Sequence, residues 1–122
     1  MMQLTYSVRE LNAHVRRLFE MDDNLQDLWV EGEVSGFKRA EPSGHCYFNL
    51  KDGKSQIACV MWRSSAQQQA VLPKDGDAVM VHGAVTIYEE RSTYQMYVDR
   101  VRGVGIGDLY RQFELLKQKL EA

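Results

Sequence analysis

Aromatic and basic side chains gather in three short stretches of this chain. Phe37, Lys38 and Arg39 precede a loop containing Pro42 and Gly44, and His45, Tyr47 and Asn49 follow it. Trp62 and Arg63 end an apolar run, while Tyr88, Arg91 and Tyr94 surround the charged segment Glu89-Glu90-Arg91-Ser92. Flat rings stack on nucleobases at about 1–3 kcal/mol each, and cations follow a phosphate backbone. The combination is the chemistry of single-stranded nucleic-acid binding. Any one of these rings can equally serve as core packing, Trp62 most readily because its facing depends on whether a bulge precedes it.

Other chemistries fit the sequence poorly. Cys46, Cys59, His45 and His82 match no zinc spacing, and two free thiols at these positions read as small apolar core residues. Gly103-Val104-Gly105-Ile106-Gly107 is not GxGxxG, lacks a following Lys-Ser/Thr, and has no parallel βαβ unit around it. The carboxylate pairs Asp22-Asp23, Glu31/Glu33 and Glu89-Glu90 have no His or nucleophile at a convincing spacing. No catalytic residue, metal or cofactor is expected in this stretch.

The 122 residues fill one domain's worth of sequence, 44% hydrophobic and 26% charged, which is the composition of a globular chain. Lys plus Arg number 15 against 17 Asp plus Glu, a formal net charge of -2. That excludes a polybasic arm as the dominant feature and leaves a local basic face open. No apolar run is long enough for a membrane span and the N-terminus carries no secretory pattern, so a reducing, cytoplasmic setting is expected.

The elements that would position the aromatic and basic side chains follow from the periodicity. Ser7-Val8-Arg9-Glu10 is a capping box, and Val8, Leu11, Val15, Leu18 and Phe19 make one helical stripe ending near Met21 to Asn24. Period-two runs follow over Trp29 to Lys38, His45 to Lys51 and Ser55 to Arg63. Ser64 to Val71 reads as a short helix or turn. Ala78 to Tyr88 and Thr93 to Arg102 are two further strands, and Asp108 to Leu120 is a final helix with Leu109, Phe113, Leu116 and Leu120 on one stripe. Five strands with a helix between the third and fourth is the layout of an OB-fold, a small Greek-key barrel. Gly32 and Gly83 are the expected bend points. The expected class is therefore mainly β with flanking helices: residues 1–26 an N-terminal helical extension, 27–103 the barrel, 104–122 a C-terminal helix. An α+β sandwich is the alternative.

Taking Asp52-Gly53 as a two-residue hairpin loop pairs Lys51 with Lys54, Cys46 with Cys59 and Phe48 with Ile57. Cys46, Phe48, Leu50, Cys59 and Met61 then face the core with Val30, Gly32, Val34, Val79, Val81, Val85 and Ile87. Tyr47, Asn49, Ala58 and Val60 face outward.

Several segments resemble the N-terminal part of the large subunit of bacterial exodeoxyribonuclease VII. They are Ser7 to Asn12, Trp29 to Ser35 with Phe37, Ser43-Gly44-His45 with Tyr47-Phe48, and Leu50-Lys51-Asp52. Gln56-Ile57, Cys59, Met61, Tyr88-Glu89, Arg91, Tyr94-Gln95, Gly105 to Gly107, Tyr110, Phe113-Glu114, Leu116-Lys117 and Lys119-Leu120 complete the set. The resemblance implies a single-stranded-DNA-binding OB-fold, followed by a separate catalytic domain outside this stretch. The full enzyme would be a nuclease degrading single-stranded DNA to oligonucleotides, with a small helical subunit as partner; a homo-oligomer is also open. Four positions depart from the family pattern: Ala58 in place of Arg, Glu90 of Pro, Ser92 of Gly and Gly36 of Asn. The first two predict weaker phosphate contact. A second class of function is a docking barrel whose exposed rings anchor a protein partner, and an anticodon-binding module is a third.

Overall fold

A computed structural model describes residues 3–104. The expected helix at Asp108 to Leu120 and the glycines at 105 and 107 lie outside these residues. Helix α1 spans Val8–Met21, and Ser7 and Glu10 close the capping box reciprocally, Ser7 Oγ accepting from the Glu10 amide at 3.1 Å. The acidic pair does not simply end this helix. Asp22 terminates α1 and its carboxylate accepts from the Leu25 amide, starting the single-turn helix α2, Asp23–Gln26.

Strands β1 (Leu28–Arg39), β2 (Cys46–Asp52), β3 (Ser55–Met61), β4 (Ala78–Tyr88) and β5 (Thr93–Gly103) close into a barrel in the order β1-β2-β3-β5-β4. Four of the five pairings are antiparallel; β3 runs parallel to β5. Helix α3, Arg63–Gln68, joins β3 to β4 and sends Ala66 into the core. That core holds Val34, Phe48, Leu50, Met61, Val79, Val81, Met96 and Val98, with both cysteine thiols buried among them.

The β2–β3 hairpin keeps the expected faces but not the expected partners. Asp52 pairs with Ser55, Phe48 with Cys59 and Cys46 with Met61, so the loop is Gly53-Lys54. Gly53 sits at φ +61 while Asp52 stays in the ladder. A glycine at the first loop position is the requirement of a II′-type turn, and it draws Asp52 into the strand. Each predicted partner moves by two residues, an even step, so inward and outward sets are unchanged.

Glycines set the curvature. A Cβ on Gly32 would lie 2.7 Å from Leu50 Cγ and 2.8 Å from the Lys51 carbonyl oxygen, and one on Gly83 would overlap the Tyr97 carbonyl. At Gly83 the β4–β5 register shifts, leaving Asp99 as the extra residue of a bulge. In β1 a second bulge falls between Ser35 and Lys38, and Gly36 takes φ +64 there.

The α1 stripe is a correction. Val15 and Phe19 are half-buried, but Val8, Leu11 and Leu18 are exposed, and the residue that α1 buries is Asn12. Polar contacts to the turn between β4 and β5 rotate the helix this way.

Candidate nucleic-acid interface

Alternation places Tyr47 and Asn49 of β2, Ala58 and Val60 of β3, and Gln95 and Tyr97 of β5 on one outer surface. These three strands are consecutive in the barrel, so their outward residues form one concave surface. Its borders come from the two bends in the chain. Past the β1 bulge stand Gly36 and Lys38; the 3-10 turn Glu89–Arg91 between β4 and β5 supplies Arg91, with Tyr88 just before it. Trp62, where β3 meets α3, closes the end. The resulting groove holds about 630 Å³.

Six of the residues singled out in the sequence line this groove: Lys38, Tyr47, Asn49, Trp62, Tyr88 and Arg91. Trp62 is not a core residue. It is 43% exposed, tilted against Tyr97 at 5.5 Å between ring centres and edge-on to His45 at 4.9 Å. It caps α3 and therefore leaves the strand before it can turn inward.

Five others stand elsewhere. Phe37 is half-buried and stacks on the core ring of Phe48 at 6.0 Å, because the bulge at Gly36 turns it under the barrel wall. Tyr94 lies edge-on to Phe19 of α1 at 6.1 Å. Arg39 ends β1 opposite Cys46, and the Arg63 stem lies across Gly44. His45 stands behind the groove: its Nδ1 accepts from the Arg63 amide at 2.9 Å while its ring supports Trp62. The residues missed by sequence reasoning are Tyr97 and Gln95. Inward Met96 and Val98 were the available signal, since they force 95 and 97 outward.

Two cations, Lys38 and Arg91, line the groove beside the two carboxylates of the β4–β5 turn. Tyr88 donates to the Glu90 carboxylate at 2.9 Å, which also holds the phenol proton more tightly than usual. Glu89 pairs with Arg16 of α1 at 3.1 Å. Both carboxylates of the turn are thus engaged, while among the described residues Lys38 and Arg91 form no salt bridge. Four rings, two amides and two available cations can stack bases, bond base edges and follow phosphates. Among the described residues no group of three or more His, Cys, Asp or Glu side chains could hold a metal ion, and no helix is long and apolar enough to cross a membrane.

The model of OB-fold nucleic acid binding domains matches residues 6–102. The chain belongs to that family. Curated relatives of this OB-fold domain include the exodeoxyribonuclease 7 large subunit of Geobacillus kaustophilus, 42% identical over 99% of the chain, and that of Staphylococcus epidermidis, 42% identical over 94%. The domain spans 27% and 26% of their lengths, about a quarter of each. Among solved structures, a replication protein A heterotrimer bound to single-stranded DNA superposes with a TM-score of 0.53 at 16% identity, covering 80% of this chain and 75% of that one. Asparaginyl-tRNA synthetase from Pyrococcus horikoshii does so at 0.55 and 13%, over 75% of this chain and 22% of that one. These two likenesses concern the fold.

Proposed function

We propose that this OB-fold domain binds single-stranded DNA in the β2–β3–β5 groove, as the substrate-gripping part of a larger exodeoxyribonuclease 7 large subunit. The observation that carries the reading is the meeting of Tyr47, Trp62, Tyr88 and Tyr97 with Lys38 and Arg91 in one groove. Chemistry on the DNA belongs to the rest of that subunit, and this domain itself cleaves nothing. In the same reading the larger protein is a cytoplasmic nuclease working with a small helical subunit.

The test is a fluorescence titration of the chain with labelled oligo(dT) and with duplex of equal length, over a range of salt. Single strands bind in preference to duplex. Two cation contacts give a slope of log K against log salt of about -1.4. Equal affinity for duplex, or a slope near zero with tight binding, would overturn the reading.

A docking role has one observation of its own: Val8, Leu11, Leu18 and Met21 leave an exposed apolar row along α1. Light scattering of the chain alone would detect self-association through that row.

A further inference from the structure

We infer that Asn12 is a positioning residue for the groove: α1 uses this one amide to hold the β4–β5 turn in the conformation that presents Tyr88 and Arg91. The inference deepens the proposed function and rests on it.

Asn12 is the one buried polar side chain among the described residues, 6% exposed. It spends three hydrogen bonds, both of its donors and one acceptor site, on a turn some 80 residues away. Nδ2 donates to the Glu89 carbonyl at 2.8 Å and to Ser92 Oγ at 2.9 Å, and Oδ1 accepts from the same hydroxyl at 3.2 Å. One turn along the same face of α1, Arg16 reaches the Glu89 carboxylate at 3.1 Å. The helix therefore grips Glu89 through both backbone and side chain, and Ser92 through its hydroxyl. Arg91 lies between them.

The turn needs outside support. It is three residues long, and the Ser92 amide reaches the Glu89 carbonyl only at 3.4 Å. Ser92 also sits at φ +52, ψ +37, the only side-chain-bearing residue with positive φ among those described. That region disfavours any residue with a Cβ. The Asn12–Ser92 ring of two hydrogen bonds compensates for this conformation. Asparagine is a costly way to attach a helix when an apolar residue could bury there, since its amide must be matched on every side. Matching is what makes it selective: only one arrangement of the turn satisfies it.

The experiment compares Asn12→Ala and Asn12→Asp with the unaltered chain; Asp keeps the shape but cannot donate to the Glu89 carbonyl. Arg9→Ala, exposed on the same helix, is the control. Amide hydrogen exchange should accelerate at residues 89–93 in both Asn12 variants while the barrel strands stay protected. Oligo(dT) affinity should fall about tenfold, the scale of one lost charge-assisted contact. The salt slope should also drop by about 0.7, as though one phosphate contact had gone, a change that general destabilisation does not produce. In an Arg91→Ala background, Asn12→Ala should add little. Unchanged exchange at 89–93, or losses from Asn12→Ala and Arg91→Ala that multiply in full, would overturn the inference. If the unaltered chain binds no oligonucleotide, the functional reading fails instead, and exchange at the turn alone decides whether Asn12 holds it.

Discussion

His82 Nδ1 lies 2.7 Å from the Asp99 carboxylate, the residue that the Gly83 bulge pushes out of the β4–β5 ladder. The other ring nitrogen is 2.6 Å from Asp27, so an imidazole protonated on both nitrogens has a carboxylate to donate to at each end. Asp99, and then Asp27, raise the His82 pKa above its ordinary value, against the partial opposition of burial and Arg100. Trp29 lies against the same imidazole at 5.0 Å and carries the Arg102 guanidinium on its ring at 4.8 Å.

The sign of the resulting pH dependence follows. A group with a raised folded pKa contributes its full stabilisation below the unfolded value, about 6.5 for histidine. The contribution disappears as pH rises through the higher folded value. His82→Gln is therefore expected to be most destabilising between about pH 5 and 6.5, with the gap narrowing toward pH 8. Both carboxylates are largely exposed, so salt reduces the effect. Urea unfolding of the two proteins across this range checks it; a gap independent of pH would refute the assignment.

Tyr97→Ala and Tyr47→Ala should each weaken oligo(dT) binding by about 1–3 kcal/mol with little loss of stability. Phe37→Ala should do the reverse, costing about 2 kcal/mol of folding stability through its lost packing on Phe48 and leaving affinity nearly unchanged. Paired thermal melts and titrations separate the two outcomes.

Gly83→Ala should cost about 3 kcal/mol or more, because the new methyl meets the Tyr97 carbonyl, a backbone group that cannot swing aside. Gly53→Ala meets nothing and is strained only by its positive φ, so its cost should stay near 1 kcal/mol. Chemical denaturation of both variants gives the comparison.

Burial pushes the Cys59 thiol up to about 12 and raises Cys46 as well. Neither should react with a disulfide reagent at pH 8 except through opening of the barrel. The rate of labelling should therefore follow the unfolded fraction as urea is added. Fast labelling of the native chain would contradict the packing.

Much of this architecture was legible because strand parity is a robust signal. Cys46, Phe48 and Leu50 face inward whichever of two hairpin registers is chosen, since the registers differ by an even step. The choice of register itself was not legible from Asp52-Gly53, because Gly53 takes positive φ in either two-residue loop and only Asp52, which stays in the ladder without positive φ, distinguishes them. Phe37 was misplaced for the complementary reason: the bulge at Gly36 is a single-residue event that reverses facing beyond it. Asn12 was hidden inside an apolar stripe, and its partners are 77 and 80 residues away. No local pattern encodes a contact of that range.

The separation between Asn12 and its partners, 77 and 80 residues, also has a meaning in time. A ribosome adds about 5–20 residues per second, so α1 exists for on the order of 4–15 s before Glu89 and Ser92 are made. Throughout that interval the segment has an unmatched amide and no barrel to lie on, and a helix of this length is marginal on its own. A helix that precedes every strand of the barrel in the described residues is thus among the last elements to be seated, and the groove takes its final shape only after β5 has joined β3. The groove lined by β2, β3 and β5 is in this way incomplete until the whole domain has been made.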